Sequence, residues 1–224
     1  MTDEVTPETS PLEPSGDAAA VARLIEVMST LRTECPWDAQ QTHRSLVQYL
    51  VEETFEVVEV IEDGGGTADH DHLREELGDL LLQVIFHTNI AHESDPGFTV
   101  AAVADGVADK LISRHPYVFA TEAVPEDLDS SWEERKAAEK GRRSVLEGIP
   151  EQLSSIARAN KIISRARSRS VPADLDDEPI DAQTVGDQLL SLVARAQASG
   201  IDPDQAARDA VRRLEQQILD AENR

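Results

Sequence analysis

Leu50-Val51-Glu52-Glu53-Thr54-Phe55-Glu56 and Glu75-Glu76-Leu77-Gly78-Asp79-Leu80-Leu81 decide how this chain is read. Each stretch carries two acids three residues apart, Glu53 with Glu56 and Glu76 with Asp79, and i,i+3 spacing on a helix projects both from one face. On a helical wheel Leu46, Tyr49, Leu50, Val57, Val60 and Ile61 form an apolar arc. Glu53 falls within one side of that arc and Glu56 at its edge, while Glu52 and Glu59 point away into a solvated face. After Asp79 the next helix is apolar almost all round, through Leu80, Leu81, Leu82, Val84, Ile85 and Phe86. Buried unpaired carboxylates cost several kcal/mol each, and gathering four adds mutual repulsion. A hard divalent cation with oxygen ligands resolves both, and Mg²⁺ fits better than Zn²⁺, which prefers His or Cys.

Working outward, hydrophobic periodicity and turn residues divide the chain into helices. A first helix carries Val21, Leu24, Ile25, Met28 and Leu31 and ends at Pro36. A second runs from about Ser45 to Ile61 and stops at Gly64-Gly65-Gly66. A third starts near Asp69 or Asp71 and continues to about His92. Thr99 caps a fourth, whose Val100, Val103, Val107 and Leu111 are expected to face inward, and Pro116 ends it. Ser130 and Glu133 read as a capping box for a fifth, closed by Gly141. A further helix spans about Pro150 to Ser170 and is basic at Lys161, Arg165, Arg167 and Arg169. After a Pro/Asp-rich stretch, 171–183, two more helices close the chain, the last capped by Asp202 with Pro203 at its first position. Nothing alternates in the manner of strands, so the fold class is all-α.

Composition narrows the function. The formal net charge of −23 argues against direct nucleic-acid binding. The single cysteine, Cys35, rules out an intrachain disulfide and suits a reducing compartment. No signal peptide and no apolar run of membrane-spanning length is visible, so a cytoplasmic location and no membrane partner are expected. Residues 1–17 lack a basic residue and are rich in Pro, Ser, Thr, Asp and Glu, the composition of a disordered acidic tail. On the fourth helix Lys110 and Arg114 stand at i,i+4 and suit the phosphates of a metal-bound polyphosphate; salt bridging to nearby acids is the plainer reading. Lys136, Lys140, Arg142 and Arg143 form a second basic group. Near the C-terminus Gly186-Asp187-Gln188-Leu189-Leu190 echoes Gly78-Asp79-Leu80-Leu81-Leu82, with Thr184 where Glu76 stands, as in a truncated and degenerate second copy.

These residues carry a resemblance. Cys35-Pro36-Trp37-Asp38-x-x-Gln41-Thr42, Glu53-x-x-Glu56, Glu76-x-x-Asp79 and Lys110-Leu111-x-x-Arg114-His115-Pro116-x-Val118-Phe119 resemble, in order, the motifs of the MazG family of all-α nucleoside triphosphate pyrophosphohydrolases. The resemblance implies a four-helix bundle completed by a second subunit in a homodimer or higher homo-oligomer, with extra C-terminal helices. By motif the chain divides into the tail, a domain over 18–145, and a C-terminal helical region over 146–224. The implied reaction cleaves nucleoside triphosphates between the α- and β-phosphates, a nucleotide-pool house-cleaning activity, with dUTP, phosphoribosyl-ATP or a non-catalytic adaptor role as alternatives. The resemblance places Glu53, Glu56, Glu76 and Asp79 on Mg²⁺ (Mn²⁺ as a substitute), with Glu53 or Glu56 serving the attacking water. Lys110, Arg114 and Lys136 are expected on the substrate, with Trp37 stacking on a base or packing the helix junction.

Overall fold

The computed structural model describes residues 16–63 and 69–223. Every regular element among them is helical. The tail reading for residues 1–15 and the Gly64–Gly66 turn lie outside the described residues, whereas Gly16 and Asp17, assigned to the tail, open the first helix. In order the helices are α1 Gly16–Glu34, α2 Val47–Asp63, α3 His70–Ser94, α4 Val100–Arg114, α5 Pro116–Phe119, α6 Leu128–Lys140, α7 Ser155–Ser168, α8 Ala182–Ala198 and α9 Pro203–Glu222. None is long and apolar enough to cross a membrane.

The described residues divide into two compact units, the first running to Lys110 and the second starting at Leu111. In the first, α2 and α3 pair extensively and α1 packs on α3. Met28, Leu46, Ile85 and Phe86 make its core, joined by Leu24, Ile25, Tyr49 and Leu82. Removing each such side chain from water contributes about 1.5–3 kcal/mol. Asp69 caps α3 by accepting from the backbone N–H groups of Asp71 and His72. Arg32, in the last turn of α1, pins the loop that follows. Its Nη1 donates to the carbonyls of Asp38 and Gln41, its Nη2 meets Glu93 at 2.6 Å, and its guanidinium lies over the Phe86 ring.

In the second unit α7 packs on α9, α6 on α7, and α8 on α9. Its core is Val145, Ile149, Ile162, Ala166, Val211 and Ile218. Asp202 caps α9 with Pro203 at the first position, as the sequence indicates.

Several boundaries and faces differ from expectation. The cap of α6 is Asp127, which accepts from Ser130 N, so Ser130 and Glu133 form no capping box. Glu133 turns instead toward cations of α7. Gly141 does close α6, in the left-handed region at φ 60°. α7 begins at Ser155 because Ser154 caps it, later than Pro150. Pro116 ends α4 but opens the short α5, since its missing N–H costs nothing at a helix start. Thr99 does cap α4, accepting from Ala102 N. The α4 stripe of Val103, Val107 and Leu111, expected to face inward, is exposed. So are Leu77, Leu81 and Val84 of α3 and Ile61 of α2. The periodicity marks these faces as apolar but does not supply what covers them.

Candidate active site

The α2–α3 pairing brings acids from the two quoted stretches together. Glu53, Glu76 and Asp79 each offer a carboxylate oxygen, and these oxygens all lie within 4.8 Å of one another. Glu76 is buried at 8% exposure, and Glu53 and Asp79 are half-buried. Glu56, one turn along α2, is half-buried and hydrogen-bonds to Glu53 through its side chain. Glu52, Glu59 and Glu62 are exposed, as the wheel indicates. The separation of clustered from solvated acids therefore follows the helical phase of α2.

The electrostatics carry the strain of this gathering. Burial raises the Glu53 carboxyl above its ordinary value, and its hydrogen bond to Glu56 and the charges of Asp79, Glu56 and Glu52 raise it further. Two carboxyls that share a hydrogen bond hold a proton between them. A divalent cation held by Glu53, Glu76 and Asp79 would supply a stronger positive charge than that proton. Oxygen donors around one octahedral Mg²⁺ stand about 3.0–4.2 Å apart, and the three carboxylate oxygens here lie within 4.8 Å of one another. The donor set is all oxygen, which suits Mg²⁺ or Mn²⁺. His72 Nε2, one turn earlier on α3, lies 3.0 Å from Glu76 Oε1.

Further along α3, Gln83 is buried with Oε1 lacking a hydrogen-bond partner, and His87 follows one turn later. His87 Nδ1 meets His43 Nδ1 at 2.8 Å with the two rings parallel to within 2°. The contact is a hydrogen bond when one Nδ1 carries the proton and the other does not. Burial, then the charge of His43, pull His87 below the usual imidazole value. Sequence reading finds no partner for His43, because the residues lie 44 positions apart.

Trp37 packs the helix junction edge-on against Tyr49 and Phe86, with ring centroids 6.0 and 6.5 Å away, and keeps half its surface exposed. Of the two α4 cations, Lys110 is exposed and only Arg114 is inward, at 9% exposure. Arg114 sits in the second unit. It donates from Nε and Nη2 to Glu139 Oε2 at 2.9 and 2.6 Å. Its guanidinium lies 5.0 Å from the Trp132 ring centroid, a cation–π contact. Trp132 and Glu139 are missed by sequence reading; their position on α6 facing Arg114 depends on the turn after α5. Lys136 meets Glu133 at 3.5 Å. Asp187, the echo of Asp79, is exposed on α8.

Residues 41–119, which contain all four acids with Lys110 and Arg114, match the MazG nucleotide pyrophosphohydrolase domain. A Thermotoga maritima protein named nucleoside triphosphate pyrophosphohydrolase/pyrophosphatase MazG is 32% identical over 85% of this chain and 81% of its own length. An uncharacterized 26.1 kDa protein of Streptomyces cacaoi is 42% identical over 86% of this chain and 78% of its own. A Mycobacterium tuberculosis nucleoside triphosphate pyrophosphohydrolase is 43% identical over 72% of this chain. The chain spans about half the length of that mycobacterial relative, 49%.

Proposed function

This chain belongs to the MazG family, and from that premise we propose that it hydrolyses nucleoside triphosphates between the α- and β-phosphates to the monophosphate and pyrophosphate. The observation that carries the reading is the convergence of Glu53, Glu76 and Asp79 from two helices at a half-buried point. Glu53, Glu76 and Asp79, with Glu56 beside them, hold Mg²⁺, or Mn²⁺ in its place. A bound divalent ion supplies charge neutralisation on the phosphate oxygens and a more acidic water. Glu53 or Glu56, hydrogen-bonded to each other, orients a water or takes its proton. Arg114 and Lys110 meet the phosphates, with Lys136 as a further cation; Arg114 arrives pre-oriented by Glu139 and Trp132. Trp37, exposed on one side of its packing contacts, is available to a base.

The active unit is a homo-oligomer in this proposal. Val51 and Phe55 on α2 and Leu77 and Leu81 on α3 are exposed apolar residues of the same two helices that bear the acids. A second copy covers these stripes and completes a four-helix bundle. Clearing aberrant nucleotides from the pool is the corresponding physiological role. Phosphate analysis of products from a panel including dGTP, dUTP and phosphoribosyl-ATP, with Mg²⁺ and with EDTA, tests reaction and selectivity together. Glu53→Gln and Asp79→Asn are expected to lower pyrophosphate release by at least about a hundredfold, since even residues that only support a ligand cost about 10–100-fold. Wild-type rates in both variants would sink the assignment.

A further inference from the structure

No side chain of α8 is buried among the described residues. The helix packs on α9, yet Val185, Leu189, Leu190, Leu192 and Val193 all remain exposed, Leu190 at 71%. A helix of this length draws its stability from packing an apolar face more than from propensity. At 100° per residue, Ala182, Val185, Leu189, Val193 and Ala196 share an arc of about 80°. Their order is a palindrome in identity and in spacing: Ala, Val, Leu, Val, Ala, centred on Leu189. A groove between α8 and α9, about 440 Å³ and lined by Leu192, Ala196, Ile201 and Ala206 among others, continues this apolar surface from Ala196.

A palindromic stripe is self-complementary. In a two-fold contact the same patch serves both copies, so residue i meets j while j meets i. Laid antiparallel about Leu189, the stripe sets Leu189 on Leu189 of a second copy, Val185 on Val193 and Ala182 on Ala196. The charges tolerate a like partner. In a chain of net charge −23, α8 carries only Asp187 and Arg195. In this register Asp187 comes level with Ser191 and Arg195 with Gln183, which avoids the cost of like charges meeting. Gly186 gives a separate sign. Glycine inside a helix costs about 1 kcal/mol relative to alanine, and a Cβ added to Gly186 would meet nothing within 4 Å among the described residues. One copy alone therefore gives no steric reason for it. In the antiparallel pair, Leu190 of the second copy comes level with the turn between Gly186 and Leu190, where the absent side chain makes room.

We propose that α8 is a contact between two copies of this chain, an antiparallel helix pair with its two-fold axis beside Leu189. This contact goes beyond the hydrolase reading and beyond the one proposed for α2 and α3. It lies in the second unit, outside the segment 41–119 matched to the family, and no acid of the trio takes part. Two different two-fold contacts on one chain build an assembly larger than a dimer.

Cysteine cross-linking in the full chain tests the register. Cys35 is the only cysteine, so Cys35→Ser gives a clean background. There, Leu189→Cys is expected to form a disulfide with its own copy about tenfold faster than Asp187→Cys on the opposite side of α8, since thiols that point apart cannot be bridged without backbone movement. Val185→Cys and Val193→Cys are expected to cross-link poorly alone and efficiently when mixed. Leu189→Glu sets two like charges on the axis. Added to Phe55→Glu, it is expected to shift the sedimentation equilibrium further toward monomer while circular dichroism keeps the wild-type helix content. Leu189→Cys no faster than Asp187→Cys, Val185→Cys alone matching the mixture, or no further shift from Leu189→Glu overturns the proposal and leaves α8 to a partner of another kind. None of these readouts depends on turnover, so this contact and the hydrolase reading fail separately.

Discussion

The imidazole Nε2 of His72 stands 3.0 Å from Oε1 of Glu76, one helical turn away on α3. Glu76 is the most deeply buried of the three converging carboxylates, and His72 is its one exposed neighbour in this contact. The contact gives the carboxylate a polar partner on its own helix. The acid site is in this respect partly organised by α3 alone.

Removing that partner has a measurable consequence. His72→Ala is expected to weaken divalent-ion binding about 10–100-fold, the range for residues that orient a metal ligand. His72→Gln, which keeps a donor, is expected to recover part of it. Titration with Mn²⁺, followed by electron paramagnetic resonance, reads binding without turnover.

The raised Glu53 carboxyl sets a pH dependence with a definite sign. Its protonated form is favoured in the folded chain, so without metal its contribution to stability is fully present below the ordinary value of 4.5 and is lost as pH rises through the raised value. Metal binding runs the other way, because the cation competes with the proton. The rise in melting temperature on adding Mg²⁺ is expected to grow as pH increases above 4.5. In Glu53→Gln that growth flattens. Melts with and without Mg²⁺ across a pH series check both.

Ile162 is fully buried in the core of the second unit, whereas Ile156 on the same helix is 62% exposed. Ile162→Ala is expected to destabilise by about 2–5 kcal/mol through lost burial and a residual cavity. Ile156→Ala is expected to stay within about 0.5 kcal/mol, as exposed substitutions do. Urea unfolding of the two variants separates them.

Phe55 follows Glu53 by two residues and is 66% exposed on the α2 face proposed to meet a second copy. Phe55→Glu puts a charge into that apolar contact and is expected to shift the sedimentation equilibrium toward monomer, with hydrolysis falling alongside. A wild-type distribution of species in the variant would place the interface elsewhere.

Helix existence was legible because it depends on local signals. The Asp69 and Asp202 caps, the Gly141 stop and Pro203 each act within one turn of backbone. The phase of the acids was legible for the same reason, since 100° per residue converts sequence spacing directly into facing. The capping box at Ser130 failed because Asp127 competes for the same N–H, and the tertiary partners of Glu133 draw its side chain away.

By itself, then, the sequence determined the helices, their apolar and acidic faces, and the motif order that identifies the family, since all of these are properties of neighbours in the chain. Only the tertiary structure decided which acids touch, that Arg114 belongs to Glu139 and Trp132, that His43 meets His87, and that Lys136, Lys161 and Arg165 crowd one carboxylate. Apart from neighbours such as Lys136 and Glu133 on α6, those pairings join side chains from different elements, and their distances depend on how the elements pack, which local spacing does not encode.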